Sequence, residues 1–355
     1  MNRSTEIALP TLVAILAAVG LFTLSSAAPS GEIVTRQLLY LALGIGVAAA
    51  ILFLGRRRLY QLAYVFFAIE MGLLILTRFI GVEVGGARSW LNLPVIPQFQ
   101  PSELAKFAVI LAMGRAYEDR RHHGSPDYVV PLLFGLPPIL LVATQPDVGG
   151  AFLLSAVAFV MVAIHGTRWQ HVAIALVAVG VLLPTVAWPA LNPARQGRIL
   201  AYLNPASDPR GAGYQVIQST IAVGSGGLTG KGYRQGTQSQ LGFIPLRHND
   251  FIFAVWAEET GLFGSVLLLG LFGLILWRLS GMAMEAGSPG DRQIIVGVFA
   301  LLGLQVLINV GVSTGVAPVT GLTLPLVSAG GSSVITTLAL LALVYAMHRD
   351  TYDLL

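Results

Sequence analysis

Apolar runs long enough to cross a lipid bilayer recur from one end of this chain to the other. A helix needs about 20 apolar residues to span the hydrocarbon core, where only helices and closed barrels satisfy the backbone polar groups. Of the 355 residues, 55% are hydrophobic and 11% are charged, whereas a soluble domain carries roughly 25% charged residues. The sequence therefore predicts an all-α polytopic membrane protein.

Ten candidate spans follow from the apolar runs. They cover residues 7–27, 36–54, 59–78, 101–117, 129–145, 149–166, 169–190, 251–277, 293–313 and 324–347. They leave no room for a separate soluble domain, so we expect residues 1–355 to form a single transmembrane domain with the helices in one bundle. The first run precedes small residues that resemble a signal-peptide cleavage site, but we expect it to be retained as a span because so many helices follow. The absence of cysteine excludes disulfides, thiol catalysis and Cys-ligated metals.

Arginine is distributed unevenly between alternate short loops. With the N-terminus inside, the cytoplasmic segments hold eleven cations: Arg3, Arg56, Arg57, Arg58, Arg115, Arg120, Arg121, Arg168, Arg278, Arg292 and Arg349. The short outer loops hold three, Arg36, Arg78 and Arg88. The positive-inside rule therefore places both termini in the cytoplasm and the segment 191–250 outside.

The segment 191–250 is long, polar and rich in glycine, and it lies between the seventh and eighth spans. It holds six cations and two acids: Arg195, Arg198, Arg210, Lys231, Arg234, Arg247, Asp208 and Asp250. Residues 214–224 have near-helical spacing and predict a short interfacial helix. Residues 224–232 are typical of turns. A lone carboxylate, Asp250, where this cationic loop re-enters the hydrocarbon, indicates chemistry on an anionic, lipid-borne substrate.

Ionisable residues inside the spans are costly and mark paired or functional positions. Glu103 and Lys106 lie three residues apart on one helical face, where they can pair. This spacing suits either a structural ion pair or the wall of a polar cavity. Glu70 lies in the middle of the third span, where it either faces a cavity or pairs with a polar neighbour.

Several further residues have both a structural and a functional interpretation. Asp147, in an outer turn, suits a cap for the next helix. Glu258 and Glu259 follow Asp250 by about two helical turns and are placed to contact the loop. Arg88, at the outer interface, suits a lipid phosphate. Helix breakers at three positions, Pro318, Gly321 and Pro325, predict non-helical backbone before the last span.

Five stretches, taken together, resemble the SEDS family (shape, elongation, division and sporulation). They are residues 86–91 with 100–106, residues 145–149, residues 213–219 with 236–243, residues 248–253, and residues 318–321 with 324–333. They occur in order over nearly the whole chain. Asp250 stands at the position of the family's essential aspartate, and Glu103 and Lys106 at its conserved Glu and Lys. The sequence differs from the family pattern at Leu246, where many relatives carry Glu.

The resemblance implies a peptidoglycan glycosyltransferase with hexosyltransferase activity, serving cell elongation and rod shape. Its substrate would be lipid II, an undecaprenyl-pyrophosphate-linked disaccharide pentapeptide, polymerised at the outer face of the bacterial cytoplasmic membrane. Its partner would be a class B penicillin-binding protein, a transpeptidase that crosslinks the strand. We expect contact with membrane lipid and no nucleic acid. A lipid II flippase and a non-catalytic scaffold remain alternative functions, and lipid II given to the purified protein would separate all three.

We expect Asp250 to be the general base for the acceptor hydroxyl. The cationic candidates for the departing pyrophosphate are Lys106, Arg198 and Arg88, with Glu103 orienting Lys106. The further substrate-binding candidates lie in the matching loop stretches: Gln218, Gln238 and His248. No protein metal site is predicted, although a divalent cation, Mg or Mn, is a possible cofactor at the pyrophosphate.

Overall fold

The structure, a computed structural model, describes residues 3–28, 31–84, 87–92, 99–119, 129–145, 147–166, 170–171, 173–174, 177, 185, 188–190, 193–204 and 211–352. The helices are α1 Arg3–Ala27, α2 Glu32–Ile80, α3 Pro101–Asp119, α4 Val129–Thr144, α5 Val148–Ile164, α6 Trp188–Ala190, α7 Pro193–Leu203, α8 Ala212–Ser225, α9 Thr237–Gln240, α10 Ile252–Met284, α11 Pro289–Ser313 and α12 Gly331–Tyr352. The described residues also include an antiparallel hairpin of strands β1 Val82–Val84 and β2 Ala87–Trp90, followed by an isolated bridge between Leu91 and Phe99.

The helix α2 contains two of the predicted spans. Its 49 residues would extend about 74 Å, far more than the roughly 30 Å hydrocarbon core. The helix breaks at Gly55, where φ is 67° and ψ is 167°. Residues with a side chain rarely adopt this backbone conformation, so glycine makes the break at residue 55 possible. The predicted spans 36–54 and 59–78 are therefore the two halves of α2.

Five helices of the described chain are long and apolar enough to cross a membrane, namely α1, α2, α10, α11 and α12. Two shorter apolar helices, Pro131–Thr144 and Val148–Ile164, correspond to the predicted fifth and sixth spans. The predicted seventh span, 169–190, lies largely outside the described residues. The chain is thus a multi-pass membrane protein, and the number of ten spans stays a prediction.

The helix α3 lies at the centre of the bundle. It packs against α2, α4, α5, α11 and α12, and most of its side chains are buried. Gly114 brings α3 close to α11, because a Cβ there would lie 2.3 Å from Ile294. The last helix, α12, lies along α2, with Gly44 beside Leu338. Long-range packing around α3 therefore determines where the charged residues at its first turn lie.

The loops assigned to the cytoplasm share one end of the bundle. Arg56, at the break in α2, contacts Asp291 of α11 at 2.8 Å and Glu118 of α3 at 3.2 Å. Tyr60 donates to the same Asp291 at 2.7 Å, and Gln293 contacts His165 at 3.3 Å. This grouping agrees with the alternation of inner and outer loops, while the side that faces the cytoplasm stays a prediction.

The last predicted span begins later than expected. Residues 324–330 are not helical, and α12 starts at Gly331. The predicted break over Pro318, Gly321 and Pro325 is confirmed, since residues 314–330 form turns, bends and other non-helical backbone. Backbone amides that a helix would have used internally are thereby free to bond to the loop before α10.

Candidate functional site

The backbone leading to Asp250 is held by the non-helical segment between α11 and α12. The amide of Ala329 donates to the carbonyl of His248 at 2.9 Å. The Ser328 hydroxyl donates to the carbonyl of Asn249 at 2.7 Å. Two successive peptide groups are therefore bonded to one segment, which limits the directions that the next residue can take.

The carbonyl of Asp250 itself is bonded to α11. The side-chain amide of Asn309 donates to it at 3.1 Å and to the carbonyl of Leu322 at 2.9 Å. Asn309 is 1% exposed, and the next residue after the aspartate, Phe251, is 0% exposed. Asp250 is only partly buried. The buried neighbours anchor the chain while the Asp250 residue keeps access to the surface, an arrangement that suits a general base.

The predicted pair at the first turn of α3 is present. Lys106 Nζ and Glu103 Oε1 lie 2.5 Å apart, with side-chain exposures of 2% and 13%. A buried ammonium needs a counter-charge, and Glu103 supplies it from one helical turn away. The less buried carboxylate and the deeply buried ammonium form a polar, charged patch at the N-terminal end of α3.

Asp147 connects the start of α3 to α5. Its carboxylate accepts from the Gly150 amide at 2.8 Å, which confirms the predicted helix cap. The same carboxylate accepts from the Ser102 hydroxyl at 2.8 Å and from the Gln100 side chain at 3.1 Å. Asp147 therefore has a structural part in the site, since it positions the turn that carries Glu103.

The candidate site has two parts, the loop that contains Asp250 and the start of α3 that contains Glu103 and Lys106. Both parts border one segment, residues 320–333. The amide of Gln100 donates to the Ser332 hydroxyl at 2.9 Å, and Thr323 and Ser333 are bonded at 2.8 Å. Gly149 packs so closely that a Cβ there would lie 2.4 Å from the carbonyl of Thr320. The segment that holds Asp250 thus also contacts the start of α3 and the first turn of α5.

Glu258 fastens the loop to α10, as the structural interpretation of this residue predicted. Its carboxylate is 0% exposed and accepts from the amides of Gln238 and Ser239, each at 2.9 Å. Lys231 forms a salt bridge with it at 2.8 Å. Its neighbour Glu259 accepts a hydrogen bond from Ser26 of α1. The hydrogen bond from its backbone amide to Glu258 therefore fixes the position of Gln238, which was predicted to bind substrate.

The remaining predicted binding residues differ in their surroundings. Gln218 lies partly buried on α8, which confirms the predicted helix over residues 214–224, while its location in the membrane interface stays a prediction. Arg88 is exposed on β2, opposite Glu83 in the hairpin, and is not brought to Asp250 by any contact in the described residues. Arg198 lies in α7, and its side chain is outside the described residues. Burial and the neighbouring Arg247 lower the pKa of His248.

Three residues that hold the site together were not predicted from the sequence: Asn309, Ser328 and Ser332. The signal for Asn309 was available, because a polar side chain within an apolar helix marks a paired position. Glu70 is 2% exposed, and neither carboxylate oxygen has a hydrogen-bond partner among the described residues. Within the same residues, no three His, Asp or Glu side chains converge as metal ligands would. The divalent cation at the pyrophosphate stays a prediction.

Residues 5–353 match the family model of FtsW, RodA and SpoVE cell cycle proteins. The peptidoglycan glycosyltransferase MrdB of Escherichia coli K12 is 40% identical over 277 residues, covering 78% of this chain and 75% of that protein. A probable peptidoglycan glycosyltransferase FtsW of Thiomicrospira cyclica is 38% identical over 323 residues, covering 89% and 82%.

Two solved structures agree with these relatives. A chain from a peptidoglycan synthase complex that coordinates polymerization and crosslinking has 45% identity and a TM-score of 0.84, covering 98% of both chains. The rod shape determining protein RodA of Thermus thermophilus has 38% identity and a TM-score of 0.74, covering 97% of both chains. The match over almost the whole length means that this chain belongs to the FtsW, RodA and SpoVE family, the SEDS proteins.

Proposed function

We propose that this protein is a peptidoglycan glycosyltransferase that polymerises lipid II at the outer face of the bacterial cytoplasmic membrane, in cell elongation. The family membership and the glycosyltransferase relatives support the reaction class. One observation supports the position of the site: the loop that contains Asp250 and the start of α3 are both hydrogen-bonded to the same segment, residues 320–333. The backbone segments that carry the Asp250 carboxylate and the buried Lys106 ammonium are therefore both attached to residues 320–333.

Asp250 is the proposed general base. It takes the proton from the acceptor sugar hydroxyl as that oxygen bonds to the anomeric carbon of the donor. The bond from this carbon to the pyrophosphate oxygen breaks, and the electron pair leaves with the lipid pyrophosphate. Direct displacement inverts the configuration at the anomeric carbon, and a single carboxylate suits inversion better than a retaining pair.

Lys106 is the proposed electrostatic contact for the departing pyrophosphate. Glu103 orients the ammonium through the contact between their side chains. Arg198 remains a further candidate for the leaving group. Arg88, exposed on the hairpin, is better suited to a lipid phosphate at the membrane surface. The partner that crosslinks the product would be a class B penicillin-binding protein, as the similarity to a chain of a synthase complex supports.

The test is polymerisation of lipid II by purified protein with no other polymerase present. Asp250→Asn keeps the size and hydrogen-bonding capacity of the side chain but removes its basicity, so the rate should fall by about 10²–10⁴. Its binding of lipid II and its thermal unfolding should stay close to wild type. The matched control is Asp119→Asn, which changes a carboxylate at the opposite end of α3 and should leave polymer yield unchanged. Wild-type polymer from Asp250→Asn would exclude the general-base role.

The same assay separates the alternative functions. Movement of lipid II across the bilayer without polymer would indicate a flippase. Neither movement nor polymer, with binding to a penicillin-binding protein retained, would indicate a scaffold.

A further inference from the structure

Glu70 is a buried acid that the proposed reaction does not use. It lies in the second half of α2, within the predicted span 59–78, and is 2% exposed. Both of its carboxylate oxygens are buried, and no donor among the described residues bonds to either of them. An ionised carboxylate in hydrocarbon without a donor or a counter-charge is costly, and such a group takes up a proton instead. The surroundings of Glu70 therefore favour the neutral carboxylic acid.

The face of α2 that carries Glu70 packs against α4. Three residues before it, the ring of Phe67 meets the ring of Phe134 edge to face, with centroids 5.2 Å apart. Four residues after it, the carbonyl of Leu74 accepts from the side chain of Gln145, which follows α4, at 2.7 Å. Residues three and four positions apart lie on one face of a helix. Glu70 therefore faces α4 between these two contacts.

The contacts between the two helices also give their register. Tyr64 stacks on Phe134 with ring centroids 4.8 Å apart, and Arg78 donates to the carbonyl of Thr144 at 2.6 Å. The segments therefore run in the same direction. A helical turn rises about 5.4 Å, and Glu70 lies less than one turn beyond the α2 residues that contact Phe134. It is thus beside the turn of α4 between Phe134 and residue 138.

That turn of α4 lacks a backbone donor. Pro138 lies inside the helix and has no N–H, so the carbonyl of Phe134 cannot receive the hydrogen bond that usually closes a helical turn. Pro137 has the same effect on the carbonyl of Leu133. The two positions differ in their surroundings, because Phe134 contacts α2 and Pro138 is buried, whereas Leu133 is 60% exposed. A proline within a membrane helix is tolerated where a neighbouring helix satisfies the freed group.

The two helices beside Glu70 offer it no free counter-charge. The helix α4 carries no ionisable side chain. The helix α3 also packs against α2, but both of its cations are bonded to acids of the same helix, Lys106 to Glu103 and Arg115 to Asp119. A proton is therefore what neutralises Glu70 between these helices, and the acid that results has one O–H to donate.

We propose that Glu70 is a proton-binding site within the membrane, a neutral carboxylic acid whose O–H donates to the carbonyl oxygen of Phe134. The O–H takes the place of the amide that Pro138 lacks. This hydrogen bond joins α2 to α4 at the proline break, and α4 leads directly to the turn that carries Asp147. The site goes beyond the glycosyltransferase function and does not depend on it.

Infrared spectroscopy of the purified protein in detergent at pH 7 measures the protonation state. The spectrum of the wild type minus that of Glu70→Gln should contain the carbonyl stretch of a protonated carboxyl, since all other carboxyl groups cancel. The matched control is Glu32→Gln, which removes an exposed acid paired with Arg36 and should give a carboxylate band instead. A carboxylate band in the Glu70 difference, as an ionised Glu70 with a bound cation would give, overturns the proposal.

Thermal unfolding tests whether the acid donates a hydrogen bond. Glu70→Gln still supplies an N–H donor and should keep a Tm close to wild type. Glu70→Leu supplies no donor and leaves a buried carbonyl unsatisfied, so its Tm should fall by about 2–6 °C. A buried carboxyl without any partner would be relieved by leucine, and the Tm would then rise. An unchanged or higher Tm for Glu70→Leu overturns the proposal.

A double-mutant cycle identifies the acceptor. Pro138→Ala restores the amide that bonds to the carbonyl of Phe134, so in that background Glu70→Leu should cause a clearly smaller loss of Tm. Pro137→Ala is the matched control, because it restores the donor to the exposed Leu133 and should leave the loss unchanged. The same loss in all three backgrounds overturns the assignment to Phe134.

If Glu70→Leu does not fold, the infrared difference between wild type and Glu70→Gln decides whether the site holds a proton. None of these measurements requires turnover. An ionised Glu70 in a polymerising protein would contradict the proton site alone, and a protonated Glu70 in a protein that makes no polymer would contradict the glycosyltransferase function alone.

Discussion

Replacing Glu103 by alanine leaves the ammonium of Lys106 without its counter-charge in a site where that side chain is 2% exposed. Removing one partner of a buried ion pair costs about 3–5 kcal/mol. Replacing Lys106 instead leaves a carboxylate that is 13% exposed and can bind water or a proton. That loss should be smaller, about 1–3 kcal/mol. The two alanine variants should therefore differ in stability although they break the same contact.

The assay pairs thermal unfolding in detergent with the yield of polymer from lipid II. Glu103→Ala should lower both the Tm and the polymer yield. Lys106→Ala should lower the rate by about 10²–10³, the usual loss for one donor to a developing anion, with a smaller change in Tm. The matched control is Glu32→Ala, which breaks an exposed pair with Arg36. Exposed pairs contribute little, so this variant should keep both its Tm and its activity.

The double variant Glu103→Ala/Lys106→Ala decides between a catalytic and a structural pair. Removing both charges relieves the unpaired ammonium, so the Tm should recover relative to Glu103→Ala. Polymer yield should stay as low as in Lys106→Ala if the ammonium acts on the pyrophosphate. Recovery of activity together with stability would refute the leaving-group role and leave the pair as an anchor for α3.

Three other measurements test the rest of the structure. Asn309→Leu removes the donor to the carbonyls of Asp250 and Leu322 and should cost about 1–3 kcal/mol while lowering polymer yield; normal yield would contradict its positioning role. Glu258→Ala, which leaves buried loop amides and Lys231 unpaired, should cost about 3–5 kcal/mol, and an unchanged Tm would be inconsistent with this account. A reporter after residue 355 should read as cytoplasmic and one near Gly211 as external; the reverse would place Asp250 on the wrong side for lipid II.

The contacts that local spacing determines were predictable from the sequence. Hydropathy indicated most of the helices, because a backbone in lipid has few alternatives. The salt bridge between Glu103 and Lys106 follows from their separation of three residues on a helix. The cap at Asp147 and the break around Pro318 also depend on residues within one turn. The interaction energies in these cases act over short stretches of chain, so a pattern in the sequence is sufficient.

Only the tertiary structure decided how the site is assembled. The carbonyl of Asn249 is bonded to Ser328, and the guanidinium of Arg247 to the end of α1. These partners are far apart along the chain, and no periodicity relates them. Which polar groups meet depends on how α3, α11 and α12 pack around one another, and many arrangements of apolar helices satisfy the same hydropathy. The sequence alone thus determined that the chain crosses the membrane repeatedly and which residues could react, whereas packing decided which backbone segments hold Asp250 in place.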